Sequence, residues 1–254
     1  MSAVIVIPTY DEAAALESLL DRIMALPVRF EVLVVDDDSP DGTGRLADAY
    51  GAREPRVRAL HRPGKLGLGT AYRDGFRAAL AGGARFVFEM DADHSHNPRH
   101  LPALLAALES GAHLAIGSRY VHGVRVENWP FRRLLLSRLA NLYVNLATGM
   151  PESVVSDATS GFRGYRREAL EALDLSTVRS NGYAFQVEMA YRIWRLVFQV
   201  VEVPITFEEH YLTSSKISPA IIREAIWRTP LLRLRRAGTA SRAAAAASDS
   251  VEQG

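Results

Sequence analysis

Arg85-Phe86-Val87-Phe88-Glu89-Met90-Asp91-Ala92-Asp93 is the stretch on which the fold turns. A short apolar run rich in strand formers ends in Asp-x-Asp. Residues two apart on a strand point to the same face, so Asp91 and Asp93 are expected to project side by side past the strand end. Two carboxylates held that close repel each other unless a cation lies between them. Hard oxygen ligands suit Mg2+ or Mn2+, which in turn grip phosphates. The pattern also fits a solvated acidic turn, so the rest of the chain has to decide.

Outward from this run, the first half alternates strand-like and helix-like segments. That is the mark of an α/β protein with a mostly parallel central sheet flanked by helices. Val4 to Ile7 reads as a buried strand, followed by a helix with Leu16, Leu19, Leu20, Ile23 and Met24 at the helical period. Phe30 to Val35, Val57 to Leu60 and His113 to Gly117 read as further strands, and Gly67 to Ala81 as a helix. Polar clusters fall where these strands end: Pro8-Thr9-Tyr10-Asp11-Glu12, Asp36 to Ser39, Asp91 to Asp93, and Gly117-Ser118-Arg119. Ligands of open α/β sheets bind at the carboxyl ends of the strands. The second half is less regular: helix over Arg132 to Leu146, a polar loop from Asp157 to Tyr165, helix over Tyr183 to Leu196, and a strand from Val200 to Phe207 broken by Pro204.

Composition narrows the class. The 254 residues are 48% hydrophobic and 23% charged, ordinary for a globular protein. A net charge of +1 gives no global field for nucleic acid. The lack of cysteine excludes disulfides and thiolate metal sites. The opening run Ser2 to Pro8 lacks a basic n-region and a cleavage site. No apolar stretch reaches the roughly 18 residues that span a bilayer. The expectation is a cytoplasmic protein, soluble or peripheral on the cytoplasmic face of a membrane.

Four segments taken together carry a family resemblance: Pro8-Thr9-Tyr10-x-Glu12, Val35-Asp36-Asp37-x-Ser39-Pro40-Asp41-Gly42-Thr43, Lys65-Leu66-Gly67-Leu68-Gly69-Thr70-Ala71, and Met90-Asp91-Ala92-Asp93-x-Ser95-His96. Over roughly residues 3 to 218 the chain resembles the inverting nucleotide-sugar glycosyltransferases of the family 2 type, with a GT-A (Rossmann-like) fold. Among them it looks most like the dolichol-phosphate (polyprenol-phosphate) mannose synthases. The resemblance implies metal-dependent transfer of mannose from GDP-mannose to a polyprenyl phosphate. The same chemistry with another donor such as UDP-glucose stays open, and so does a catalytically weak scaffold subunit recruited to the membrane.

The resemblance also implies site roles. Pro8, Tyr10, Glu12, Asp36, Asp37, Lys65 and the Asp91-Ala92-Asp93 run would form the donor-nucleotide site. Tyr10 would stack, Glu12 would accept ribose hydroxyls, Asp37 would face the base edge, and Lys65 would counter diphosphate charge. Taken singly, Glu12 equally reads as a first-turn helix charge, Asp41 as an N-cap and Lys65 as a solvated loop charge. Asp91, Asp93 and Ser95 would hold Mg2+ or Mn2+, with His94 and His96 in supporting roles. Arg119, Arg133 and Ser137 would hold the acceptor phosphate. Arg133 and Ser137 are i, i+4 on one helix face, though a basic helix in solvent has the same pattern. Asp157 and Gln186 would line the sugar pocket. A dianionic phosphate needs no general base, so Asp91, Asp93 and Arg119 would carry catalysis by charge alone.

One departure stands out. Relatives carry Arg-x-x-Gly-x-Ser-Lys after the last strand, where this chain has His210-Tyr211-Leu212-Thr213-Ser214-Ser215-Lys216. His210 replaces the Arg that would fold over the diphosphate, while Lys216 is kept. The expected domain plan is a GT-A domain over 1–218, an amphipathic segment over 219–236 and a disordered tail over 237–254. In the amphipathic segment Ile221, Ile222, Ile226 and Trp227 sit among Arg228, Arg233, Arg235 and Arg236. That mixture suits an anionic membrane surface or a helix packed on the domain. With no spanning tail to follow, a membrane-anchoring subunit is the other expected partner.

Overall fold

The apolar run of the opening motif forms β4 (Phe86–Glu89), buried along its whole length. The computed structural model describes residues 2–127, 129–208 and 226–234. Its central sheet has seven strands: β1 (Ala3–Thr9), β2 (Glu31–Asp36), β3 (Val57–His61), β4, β5 (Leu114–Ser118), β7 (Arg163–Arg166) and β8 (Val200–Pro204), in the order β3-β2-β1-β4-β7-β5-β8. All neighbours run parallel except at β7, which is antiparallel to both β4 and β5. A small parallel pair, β6 (Val126–Glu127) with β9 (Phe207–Glu208), sits apart from it.

Helices cover both faces, so the strands are apolar on both sides. Phe86 and Phe88 face one way, into a core with Ile5, Ile7, Val32, Val34 and helices α1 (Ala13–Met24) and α4 (Leu101–Glu109). Val87 faces the other way with Val4, Val6, Leu33, Val35 and helices α3 (Leu68–Ala81) and α7 (Gly182–Arg195). The remaining helices are α2 (Thr43–Arg53), α5 (Phe131–Thr148) and α6 (Arg167–Ala172). Two glycines are required by this packing. A Cβ on Gly75 would lie 2.3 Å from Val6 Cγ1, so only glycine lets α3 settle this close to β1. Gly42, with φ +90°, turns the chain into α2 in a conformation that other residues rarely adopt.

The sequence expectations hold for the mostly parallel sheet and its helices. The helix read over Arg132–Leu146 is α5, and that over Tyr183–Leu196 is α7. The strand interrupted at Pro204 is β8 and β9. Helix α4 was not marked in the sequence, although Leu101, Leu104, Leu105 and Leu108 line its buried face. Among the described residues no helix is long and apolar enough to cross a membrane.

What positions the site is the chain reversal in the middle of the sheet. From β1 the chain runs outward through β2 and β3, then returns to lay β4 on the other flank of β1. The crevice beyond the ends of β1 and β4 is the switch point at which such sheets bind ligands.

Candidate active site

At the end of β1, Thr9 Oγ1 donates to Asp36 Oδ1 at 2.9 Å. Ser39 gives its hydroxyl to the same oxygen at 2.6 Å and its N–H to Oδ2 at 3.1 Å. Buried Asp36 therefore ties the ends of β1 and β2 together. Asp37 is also buried, where Arg62 Nη1 donates to Oδ1 and the Leu66 N–H to Oδ2. Arg62 in turn reaches Thr70 and Asp74, which fixes the loop into α3. That loop brings Lys65 Nζ to 3.8 Å from the Tyr10 ring centroid. Pro8 pairs with Val35 in the sheet. Glu12 is buried, and its N–H donates to Thr43 Oγ1. Asp41 accepts from the Thr43 and Ala13 N–H groups, joining the starts of α1 and α2. Against partial burial, these hydrogen bonds hold its carboxyl below the usual range.

Beyond β4, Tyr72 OH donates to Asp91 Oδ1 at 3.1 Å. The Asp91 N–H donates to His96 Nδ1 at 3.1 Å. Burial pushes the His96 imidazole down to about 4, so it is neutral and free to accept at Nδ1. Its ring stacks on Phe162 at 5.0 Å. Asp93 Oδ1 accepts the Ser95 N–H at 3.0 Å, while the Ser95 side chain is buried. Ala92 between them is buried, and His94 turns away to Ser18 and Arg22 on α1. Asp11, Asp38 and His94, one after each of β1, β2 and β4, adopt left-handed φ values of 58°, 57° and 63°. Non-glycine residues in that region cluster at functional loops.

The donor set fits a hard divalent cation. Each of the two aspartates has one oxygen anchored by a protein donor, and the Asp91 side chain is 38% exposed. Among the described residues no group of three His, Cys, Asp or Glu gathers. Two carboxylates with water and substrate oxygens make up the kind of shell that Mg2+ and Mn2+ accept.

Gly161 lies beside Asp91, Gln186 and His96. A Cβ added at Gly161 would meet the Gln186 Nε2, Asp91 Oδ2 and His96 Cε1 atoms at 3.5 to 3.6 Å. Gln186 is buried, and its Oε1 has no hydrogen-bond partner. Beneath them Glu89 is fully buried, with Tyr165 OH donating to Oε1 at 2.9 Å and Arg163 Nε 3.5 Å away. Burial pushes Glu89 up to about 8, against the pull of the Arg163 charge and the Tyr165 hydrogen bond.

The arginine side of the site is built differently from its expected form. Arg119 and Asp157, assigned from the resemblance to the acceptor phosphate and to the sugar, are paired with each other. Arg119 Nε donates to Asp157 Oδ2 at 2.7 Å and Nη2 to Oδ1 at 2.6 Å, both side chains being buried. Although burial opposes its ionisation, Arg119 holds the Asp157 carboxyl below its ordinary value. Glu202 accepts the Asp157 N–H and fixes the loop from behind. Arg133 lies 4.5 Å over the Trp129 ring. Ser137 Oγ accepts from Tyr120 OH at 2.6 Å. The carboxylate and arginine halves meet at Tyr183, the residue after the first of α7. Its hydroxyl is raised by burial and feels the charges of Arg119, Asp91, Arg133 and Asp93 together. His210 and Lys216 lie outside the described residues.

Tyr72, Arg62, Trp129 and Tyr183 were not assigned site roles from the sequence. Arg62 alone carried a local signal, since it follows the end of β3, where ligand-facing residues gather.

A GT-A sheet with two carboxylates at its switch point defines a glycosyltransferase. Residues 4–174 match the family model described as Glycosyl transferase family 2, and the chain belongs to that family. It is 49% identical over 225 residues to a polyprenol monophosphomannose synthase of Mycolicibacterium smegmatis, covering 88% of this chain and 84% of that protein. It is 46% identical over 226 residues to an undecaprenyl-phosphate mannosyltransferase of Micrococcus luteus, covering 89% and 91%. A dolichol-phosphate mannosyltransferase of Pyrococcus furiosus is 38% identical over 226 residues, covering 88% of this chain and 61% of that protein. Among solved structures, glucosyl-3-phosphoglycerate synthase from Mycobacterium tuberculosis, crystallised with Mn2+, UDP and glucosyl-3-phosphoglycerate, superposes with a TM-score of 0.66. At 21% identity, over 91% of this chain and 79% of that one, the likeness is one of fold.

Proposed function

We propose that this enzyme transfers mannose from GDP-mannose to a polyprenyl phosphate with inversion at the sugar, in a reaction that depends on Mg2+ or Mn2+. The observation that carries the proposal is the joint field at Tyr183. The carboxylates Asp91 and Asp93, suited to a metal–diphosphate, and Arg119 and Arg133, suited to a phosphate, all act on the Tyr183 hydroxyl. The named activities of the relatives at 46–49% identity support it.

In this reading Tyr10, Lys65 and Glu12 hold the nucleoside and diphosphate, while Asp36 and Asp37 brace the loops that carry them. Asp91 and Asp93 would hold a divalent cation, which would supply positive charge to the departing diphosphate, with Ser95 shaping the turn. Arg119, Arg133 and Ser137 hold the acceptor phosphate, and Asp157 keeps the Arg119 guanidinium in one plane. The Gln186 amide faces the sugar. A phosphate monoester has a second pKa near about 6 and attacks as the dianion, so no general base is needed. The site contributes alignment and charge. Attack from the face opposite the diphosphate turns an α-linked donor into a β-linked lipid product.

Contact with the bilayer is assigned to α5 as well as to the C-terminal segment. Phe131, Leu135, Leu139, Leu142 and Leu146 form one stripe, with Phe131 75% and Leu146 70% exposed. Tyr143 OH donates to the Ile226 carbonyl, so the exposed Ile226, Trp227 and Leu231 extend the same face. Arg132 and Arg138 are exposed beside it. Apolar side chains rimmed by arginines suit an anionic lipid surface. The enzyme is thus peripheral on the membrane face that meets cytoplasmic GDP-mannose, with or without an anchoring subunit.

The test is transfer of radiolabelled mannose from GDP-mannose to a short polyprenyl phosphate, with Mn2+ and with EDTA. Metal-dependent labelled lipid is expected from the wild type, falling about a hundredfold or more in Asp91→Ala. Transfer only from another nucleotide sugar, such as UDP-glucose, would refute the donor assignment. Nucleotide binding without any turnover would favour the scaffold reading.

A further inference from the structure

We propose that Trp129 is a positioning residue for the acceptor phosphate, and that its indole N–H is a further donor to that anion beside Arg119 and Arg133. The inference rests on the acceptor-site reading of those two arginines and Ser137. Trp129 lies just before α5, with its ring edge against Phe207 at 5.3 Å. Its Nε1 is buried and has no hydrogen-bond partner. A buried donor without an acceptor is destabilising, and such a group in a folded protein calls for an explanation. Here the explanation lies in its neighbours. The Arg133 Cζ is 4.5 Å and the Arg119 Cζ 5.3 Å from the centroid of this one indole.

Two guanidiniums beside one ring repel. The electron-rich face of an indole attracts both, and Arg119 is paired with the Asp157 carboxylate. The ring therefore keeps the arginines gathered before an anion arrives. Arg119 has three of its five N–H donors engaged, by Asp157 and Thr159, which leaves the Nη1 pair. Ser137 accepts from Tyr120, so its own hydroxyl hydrogen is left to donate. The Trp129 N–H adds a donor that brings no acceptor of its own. A phosphate monoester dianion, which only accepts hydrogen bonds, is the ligand class that such a donor set recognises.

The experiment measures the KM of the full-length enzyme for a short-chain polyprenyl phosphate and for GDP-mannose in wild type, Trp129→Phe, Trp129→Leu and Arg133→Gln. Trp129→Phe keeps an aromatic ring and deletes the N–H. Its acceptor KM is expected to rise about tenfold, the worth of one hydrogen bond to a charged group. Its donor KM should stay within about twofold. Trp129→Leu, which also loses the stack, should be worse for the acceptor than Trp129→Phe. A rise in Arg133→Gln with none in Trp129→Phe would overturn the role of the N–H while leaving the acceptor site standing. No rise in Arg133→Gln would sink the acceptor site itself. A measurement on the wild type removes dependence on how the variants fold. The 15N–1H indole resonance of Trp129 should move downfield on adding the short-chain lipid phosphate. A shift produced by GDP and Mg2+ alone, or no shift with the lipid phosphate, overturns the proposal.

Discussion

Glu89 and Asp91 lie two residues apart, yet the fold gives them opposite work. Asp91 reaches the crevice, while Glu89 stays sealed between Arg163 and Tyr165. Arg163 is itself held by the carbonyls of Ser160, Gln186 and Ala158, on the loop and helix proposed to face the sugar. Burial raises Glu89 from 4.5 to about 8, so between those values the folded protein holds a proton that the unfolded chain has lost. Stability from this group is full below about pH 4.5 and is lost as the pH rises toward 8. Glu89→Gln removes the titration. Its urea midpoint in EDTA should match the wild type near pH 4.5 and exceed it above pH 8, and parallel curves for the two proteins would show that Glu89 is ionised throughout. Gly161→Ala tests the proposed sugar site. The added methyl makes only ordinary contacts with Gln186, Asp91 and His96, so folding should be unchanged within about 0.5 kcal/mol. It would nevertheless stand where the sugar is expected, so the KM for GDP-mannose should rise several-fold while GDP affinity is kept. Equal affinity for both ligands in mutant and wild type would remove Gly161 from the sugar site. That Asp91 and Asp93 follow a strand end was legible because a strand end is a local fact, although β4 stops at Glu89 and the period of two does not extend to them. Tyr72, Trp129 and the Arg119–Asp157 pair were not, since each contact joins segments far apart in the chain.

Helix α5 shows how far an element can be read from its own residues. Its extent was nearly right in the sequence, and its basic residues were visible. What the sequence withheld was which face is covered, because leucines recur almost all round the helix. In the fold Asn141, Val144, Asn145 and Thr148 point inward, and the leucine stripe is left outside. The opposite failure is α4, whose leucine spacing was plain but whose start is broken up by Pro98 and Pro102. If α5 docks on lipid, Leu136→Asp, on the exposed face beside the stripe, with Leu146→Asp within it, should lower partitioning onto anionic vesicles about tenfold or more in a sedimentation assay. Both side chains are about two-thirds exposed, so the melting temperature should hardly change. Turnover of a short, water-dispersed acceptor should also survive, because neither residue touches the site. Vesicle binding equal to the wild type would move membrane contact off α5.

At the scale of the molecule, the order of strands explains why the proposed metal site can report on the whole fold. Strand β4 is hydrogen-bonded between β1 and β7, with core on both faces, so its carboxyl end is held by most of the sheet. The mostly parallel order could be read from the alternation of strands and helices. The reversed β7 could not, because nothing in four residues encodes their direction. Asp91 and Asp93 are each held by a protein donor before any cation binds, and in the proposed site the repulsion between them is a cost of the folded state. A cation that binds the folded state shifts the unfolding equilibrium by mass action. At about a hundred times its dissociation constant the gain is about 2.7 kcal/mol. A chain of this length gains roughly 2–4 °C per kcal/mol, so Mn2+ with GDP should raise the melting temperature by about 5–10 °C. Asp91→Asn with Asp93→Asn should melt at or above the wild type in EDTA, since the repulsion is gone, and should lose the metal-dependent part of the shift. A wild-type melting curve indifferent to EDTA in the presence of GDP would mean that these carboxylates bind no metal, and the charge-driven mechanism built on them would fail with it.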